Sequence, residues 1–357
     1  MKIGILTQPL KTNYGGILQN YALQEILRDM GHDPITLRIG KYPLWRWPFS
    51  VVKTLVGINK TFAPFPPFEL QRSRGMERFI KRYITVSSVR RWYRASDIHH
   101  YGLEALIVGS DQTWRPRYNT QVEDLFLEFA RSIDILKLSY AASFGTSEWE
   151  FTAQQTEICR DLLKCFRAVS VREESGFYLC KEYLDCTATW VLDPTLLLSK
   201  EHYENMCKDI PKRKPHIFAY LLDITQEKLI FVKKISDKLG LPVNLISTGS
   251  RICMEDCPER WLANFRDAAY VVTDSFHGTV FSLIFQKDFI TLRNAKRGNT
   301  RFDSLAKVAG IADRIVNIDD VIMCSIPGTV NYAEIVRRLE EARAISLTFL
   351  EQNLNRI

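Results

Sequence analysis

A short apolar run that ends in a polar turn and opens a helix recurs along this chain, and few folds accept that pattern. Lys2–Thr7 is the first such run. Asn13-Tyr14-Gly15-Gly16 makes the turn, and a helix to Met30 carries Leu23, Ile26, Leu27 and Met30 on one face. Gly31 stops that helix and Pro34–Ile39 resumes as a strand, so the opening is βαβ. The same hand-over recurs where Ala105–Val108 runs into Gly109-Ser110-Asp111 and where Tyr270–Val272 runs into the turn Thr273–Gly278. Further strands are expected at Leu138–Ala141, Ala168–Val171, Trp190–Leu192, Ile217–Leu221, Val243–Ser247 and Asp288–Leu292. Helices are expected at Gly75–Ile84, Thr152–Phe166, Gln226–Leu239, Pro258–Asp267 and Asn331–Phe349. This alternation predicts an α/β protein with doubly wound sheets. Residues 1–198 read as one unit, 210–330 as a second and 331–357 as a closing helix, with a hinge in Pro194–Pro215.

The 357 residues suffice for two domains, and 46% hydrophobic with 25% charged residues is a globular balance. No apolar stretch reaches the roughly 18 residues that span a bilayer. The opening run is too short for an export signal, so a cytoplasmic location is expected. Eight cysteines suggest zinc or disulfides, but the closest pair, Cys253 and Cys257, has no second pair nearby. No metal and no cofactor are expected. The net charge of +7 is concentrated: Arg38–Arg94 holds thirteen Lys/Arg against Glu69 and Glu77, and the remainder is 35 basic against 39 acidic. That distribution argues for a local anionic partner and against nucleic acid. Within it, residues 41–68 carry five prolines, two tryptophans, four phenylalanines and no acid. This insertion suits either a lid over a cleft or a peripheral membrane contact.

Several polar turns could carry chemistry. Asn13–Gly16 opens a helix after a strand and suits an anion at a helix start, but it lacks dinucleotide-binding spacing. Asp111 follows a buried strand and suits either a sugar contact or a helix cap. Arg172 follows Ala168–Val171 and presents a planar fork for carboxylate or phosphate, or pairs with Glu173 or Glu174. His277 lies at a helix start after a strand, where the helix dipole favours a neutral imidazole. Lys296–Arg301 places three cations in six residues, either an anion loop or a solvated face.

Seven blocks in order resemble the polysaccharide pyruvyl transferase family. They are Asn13–Gln24, Val108–Trp114, Ser139–Gly145, Ser170–Gly176, Val191–Leu198, Val271–Phe285 and Arg297–Ile311. The resemblance implies two Rossmann-like domains facing across a cleft in a glycosyltransferase-B-like arrangement, with the C-terminal helix returning to the first. It implies phosphoenolpyruvate as donor and a lipid-linked or polysaccharide sugar as acceptor. Arg172 and His277 match donor-pocket positions of the family. Other branches carry arginine two residues before the histidine, where this chain has Ser275. Arg297, Asn299 and Arg301 are then the expected supplement for the donor anion. Asn13, Tyr14, Gly15, Gln19 and Ser143 are expected on the acceptor side, with His277 and Asp111 as the proton-handling pair. Two rivals share the fold: a nucleotide-sugar glycosyltransferase and a non-catalytic sugar-binding relative.

Overall fold

The computed structural model describes residues 1–39, 66–90, 93–247, 257–294, 298–322 and 328–355. Residues 41–65 of the insertion expected at 41–68, with Trp45 and Trp47, lie outside them, as do Cys253 and Arg297.

The first half holds strands β1 (Lys2–Leu6), β2 (Asp33–Thr36), β3 (Ala105–Val108), β4 (Leu136–Ser139), β5 (Ser170–Val171) and β6 (Thr189–Trp190). The first four form a parallel sheet in the order β2-β1-β3-β4. Bridges at Leu138–Ala168 and Ala142–Val171 continue it to the parallel pair β5-β6. The second half holds β7 (His216–Leu221), β8 (Val243–Ser247), β9 (Ala268–Thr273), β10 (Asp288–Leu292) and β11 (Ile315–Val316). These form a second parallel sheet in the order β11-β10-β9-β7-β8. Strand order reverses direction beside β1 in the first sheet and beside β7 in the second, and crevices open at the carboxyl ends there. The architecture is thus α/β and glycosyltransferase-B-like, with two Rossmann-like sheets.

Burial explains the strands. β1 and β3 are almost wholly buried and read as continuous apolar runs, as parallel strands covered on both faces do. β4 sits two residues earlier than expected, because Ala141 takes φ 51°, outside strand geometry. The helix before Ile84 begins at Pro66 instead of Gly75.

The first part of the stretch expected as a hinge, 194–207, is packed structure. It contains the turn Pro194–Leu196 and the helix Lys200–Met206, with Leu196, Leu197, Leu198 and Tyr203 buried. Residues 211–215, by contrast, are exposed and form neither helix nor strand. Aromatic contacts tie the halves elsewhere too. Tyr14 stacks on Trp261 at 5.3 Å and meets Tyr220 edge-on at 6.3 Å, inside one core that includes Ile3 and Phe218. The closing helix, Tyr332–Leu354, returns to the first half. There Ser346 Oγ accepts from Leu192 N at 2.9 Å and Arg343 Nε donates to the Leu196 carbonyl at 2.9 Å. No helix among the described residues is long and apolar enough to cross a membrane.

Candidate active site

Three strand ends of the first half deliver three charged residues to one buried point. After β3 the chain turns sharply: a β-carbon on Gly109 (φ 127°) would lie 2.0 Å from the Tyr140 carbonyl, and Asp111 takes φ 77°. Arg172 leaves β5, and Asp193 follows β6. Arg172 bridges the two acids, donating from Nη1 to Asp193 Oδ2 at 2.6 Å and from Nη2 to Asp111 Oδ1 at 3.3 Å. The Arg172 side chain is only 1% exposed. Asp193 Oδ1 also accepts from Thr195 N at 3.0 Å and Thr195 Oγ1 at 2.6 Å, so it caps its own turn. Burial opposes ionisation of Asp193, but His277, Arg172 and Thr195 outweigh it and hold the carboxyl far below the usual range. Asp111 is likewise depressed: burial raises it, while Arg172, His277 and Arg301 pull it down further.

The second half supplies the facing wall. Ser275 caps the helix Phe276–Ile284, its Oγ accepting from Gly278 N at 3.3 Å. The cap places His277 in the first helical turn, with Nε2 3.5 Å from Asp193 Oδ2. The imidazole reaches across only because Gly15 has no side chain: a β-carbon there would sit 2.0 Å from His277 Nδ1. The glycine of the opening turn therefore admits the histidine of the other half. Arg172 and Arg301 both stack on the Phe276 ring, at 4.8 and 5.5 Å. Burial, and then repulsion from Arg172, bring the Arg301 guanidinium down to about 10.

A cleft of about 380 Å³ opens in front of this network, lined by Asp111, His277, Arg301, Lys11, Gln112 and Tyr118 among others. It lies beyond the carboxyl ends of β1, β3, β7 and β9. The starts of the helices Tyr14–Asp29, Phe276–Ile284 and Thr300–Ala309 converge on it.

The expected site residues separate into two groups. Asn13, Asp111, Ser275, His277 and Arg301 line the cleft. Arg172 lies behind it, occupied by the two carboxylates. Tyr14 is in the core between the halves. Gln19 is a tie: Nε2 donates to Thr7 Oγ1 and the Gly16 carbonyl, both at 2.9 Å, while Oε1 accepts from Ser110 N at 3.1 Å. Ser143 is fully buried, its Oγ without a hydrogen-bond partner among the described residues. Asn299 immediately precedes the helix that carries Arg301. Asp193 was missed by sequence reasoning. Its signal was an acid followed by proline after a short strand, a pattern that reads first as a turn.

A search of curated proteins returns no match. Among solved structures, a Streptomyces sp. SF2575 glycosyltransferase, SsfS6, is similar with 13% identity, 99% of this chain and 100% of that chain covered, and TM-score 0.44. The UDP-GlcNAc 2-epimerase of Methanocaldococcus jannaschii is similar with 10% identity, coverages of 96% and 99%, and TM-score 0.48. The model of the family described as polysaccharide pyruvyl transferase matches residues 13–296, from the glycine turn through both strand-end acids to His277 and beyond, and the chain belongs to that family.

Proposed function

We propose that this chain transfers the three-carbon skeleton of phosphoenolpyruvate to a sugar as a pyruvate ketal in cell-surface glycan synthesis. One observation carries the reading: His277 and the buried cation Arg301 face one cleft, with the ionised Asp111 beside them. Phosphoenolpyruvate brings a carboxylate and a phosphate, and three helix starts with Arg301 and Lys11 form a positive enclosure for both. Reaction requires a proton on C3, which makes C2 an oxocarbenium-like centre open to a sugar hydroxyl. Asp111 is held ionised and has no proton to give, so the donor to C3 is His277. Asp111 then faces the positive charge that develops at C2. Attack by the first hydroxyl forms one C–O bond, phosphate leaves with its C–O electron pair, and a second hydroxyl closes the ring. One hydroxyl proton restores His277 and the other departs with phosphate.

Arg172 acts in this scheme as a positioning residue. It fixes Asp111 directly, and it fixes Asp193, which orients the imidazole. Phosphate release from phosphoenolpyruvate across a panel of lipid-linked glycans, with mass spectrometry of the product, tests the proposal. Consumption of a nucleotide sugar without phosphate release from phosphoenolpyruvate would put the glycosyltransferase reading in its place.

A lipid-linked acceptor would bring the enzyme to a membrane surface, and the described part of the basic segment fits that partner. The helix Pro66–Tyr83 buries Met76, Phe79 and Ile80 and exposes Arg74, Arg78, Lys81 and Arg82 on one stripe. None of these four is paired with an acid among the described residues. Such a stripe adds attraction to anionic headgroups, roughly 1 kcal/mol per cation near the surface.

A further inference from the structure

We propose that Tyr118 is the platform on which the acceptor's pyranose ring lies, an inference that rests on the sugar acceptor of the reading above. Most residues expected to bind the acceptor are buried: Tyr14, Gly15, Gln19 and Ser143 are engaged in packing or ties. Tyr118 is different. It lines the cleft and keeps 36% of its surface exposed, while its neighbours Trp114, Phe126 and Phe144 are buried.

Its placement is built. The Arg115 guanidinium lies 5.0 Å over one face of the ring. Arg115 is itself 5% exposed, held by Glu150 at 2.9 Å and by Gln112 Oε1 at 3.0 Å. The loop is pinned on both sides. Trp114 is fully buried and donates to the Leu125 carbonyl at 2.8 Å, and Asn119 Nδ2 donates to the Thr113 carbonyl at 2.8 Å. One ring face is thereby covered by a fixed cation, and the phenol is left rigid and open towards the cleft. A rigid amphipathic ring of this kind offers contact area at low entropic cost.

The neighbours select a sugar. Gln8 Nε2 donates to the Gln112 carbonyl at 2.7 Å and to Asn119 Oδ1 at 3.2 Å. Gln8 Oε1 and Gln112 Nε2 are left uncommitted among the described residues, an acceptor and a donor along the same wall. Paired hydroxyls on a pyranose satisfy both, whereas a flat base presents its polar atoms only at its edge. His277 and Asp111 line the same cleft.

The test is saturation-transfer NMR on the full chain with a panel of methyl hexopyranosides and, separately, uridine monophosphate. Phosphoenolpyruvate affinity is measured in parallel by calorimetry. We expect at least one glycoside to receive saturation on its ring protons from the wild type and from Tyr118→Trp. Tyr118→Ala should weaken that binding about tenfold or more, with phosphoenolpyruvate affinity unchanged. Equal glycoside binding in Tyr118→Ala, no glycoside contact in the wild type, or the nucleotide taking the ring in place of the glycosides would each overturn the platform. A wild type that binds glycosides through Tyr118 but ignores phosphoenolpyruvate supports the platform and removes only the proposed donor.

Discussion

Each half of the molecule carries, at the carboxyl ends of its parallel strands, a buried carboxylate held by a cation, yet the two are used differently. In the second half Asp274 accepts from Leu222 N at 2.5 Å, Asp223 N at 3.1 Å, Lys228 Nζ at 2.6 Å and Asn294 Nδ2 at 3.2 Å. Every partner comes from the same half, so Asp274 locks the ends of β7, β9 and β10 together. In the first half Asp193 is held by Arg172 and Thr195 and also faces His277 from across the cleft. One cluster closes upon itself and stabilises. The other ends on the imidazole of the opposite half, and that shared carboxylate is where the proposed chemistry is centred.

The comparison breaks most readily at Asp193. Asp193→Ala leaves Arg172 half-paired in the interior, a loss of about 3–5 kcal/mol for a broken buried pair. We expect a large fall in the urea midpoint, and little phosphate release from whatever protein folds. Lys228→Met should separate stability from chemistry. Asp274 retains its three N–H donors but loses the Lys228 charge, and the Asp223 carbonyl loses the same ammonium, so the loss is again about 3–5 kcal/mol for a broken buried pair. Turnover of the folded protein should be unchanged. A turnover collapse in Lys228→Met without unfolding would erase the distinction between the clusters.

Gly15→Ala sharpens the point from the other side. A methyl group 2.0 Å from Nδ1 forces the imidazole away from Asp193. Activity should fall well out of proportion to the melting temperature, and equal losses would make Gly15 a simple packing residue. The acid response is gentler. Asp193 and Asp111 have depressed values in the folded chain, so the unfolded chain binds more protons below its own carboxylate range near about 4. Their stabilisation is fully present above that range and is lost as pH falls through the folded values. Denaturant midpoints measured from pH 6 down to pH 3 should therefore drop, and Asp193→Asn should flatten the slope. The smallest effect concerns the surface stripe. Replacing Arg74, Arg78, Lys81 and Arg82 by glutamine should weaken co-sedimentation with anionic vesicles and leave folding intact. Undiminished vesicle binding would remove that stripe from the membrane contact.

The fold was legible because parallel strands covered on both faces read as apolar runs, as Ile217–Leu221 and Tyr270–Val272 do. The polar turns at Asp111 and His277 were legible for the same reason, since each directly follows such a run. Asp193 was not. Its role depends on Arg172, 21 positions away, and on His277 in the other half, and no local pattern encodes that meeting. Tyr14 and Gln19 read otherwise in sequence than in the fold: polar and aromatic residues beside a glycine turn look like ligands, and the structure places both in the interior. Tyr118 was silent, because a lone aromatic in a loop reads alike whether buried or open.

The central claim is that His277, aligned by Asp193, gives the proton to the donor while Arg301 and the helix starts hold the donor's anionic groups. His277→Asn tests it most directly, read as phosphate release and phosphoenolpyruvate affinity on the same preparation. The account predicts a rate loss of roughly 10²–10⁴-fold with donor affinity largely retained. Near-normal turnover in that variant would contradict it.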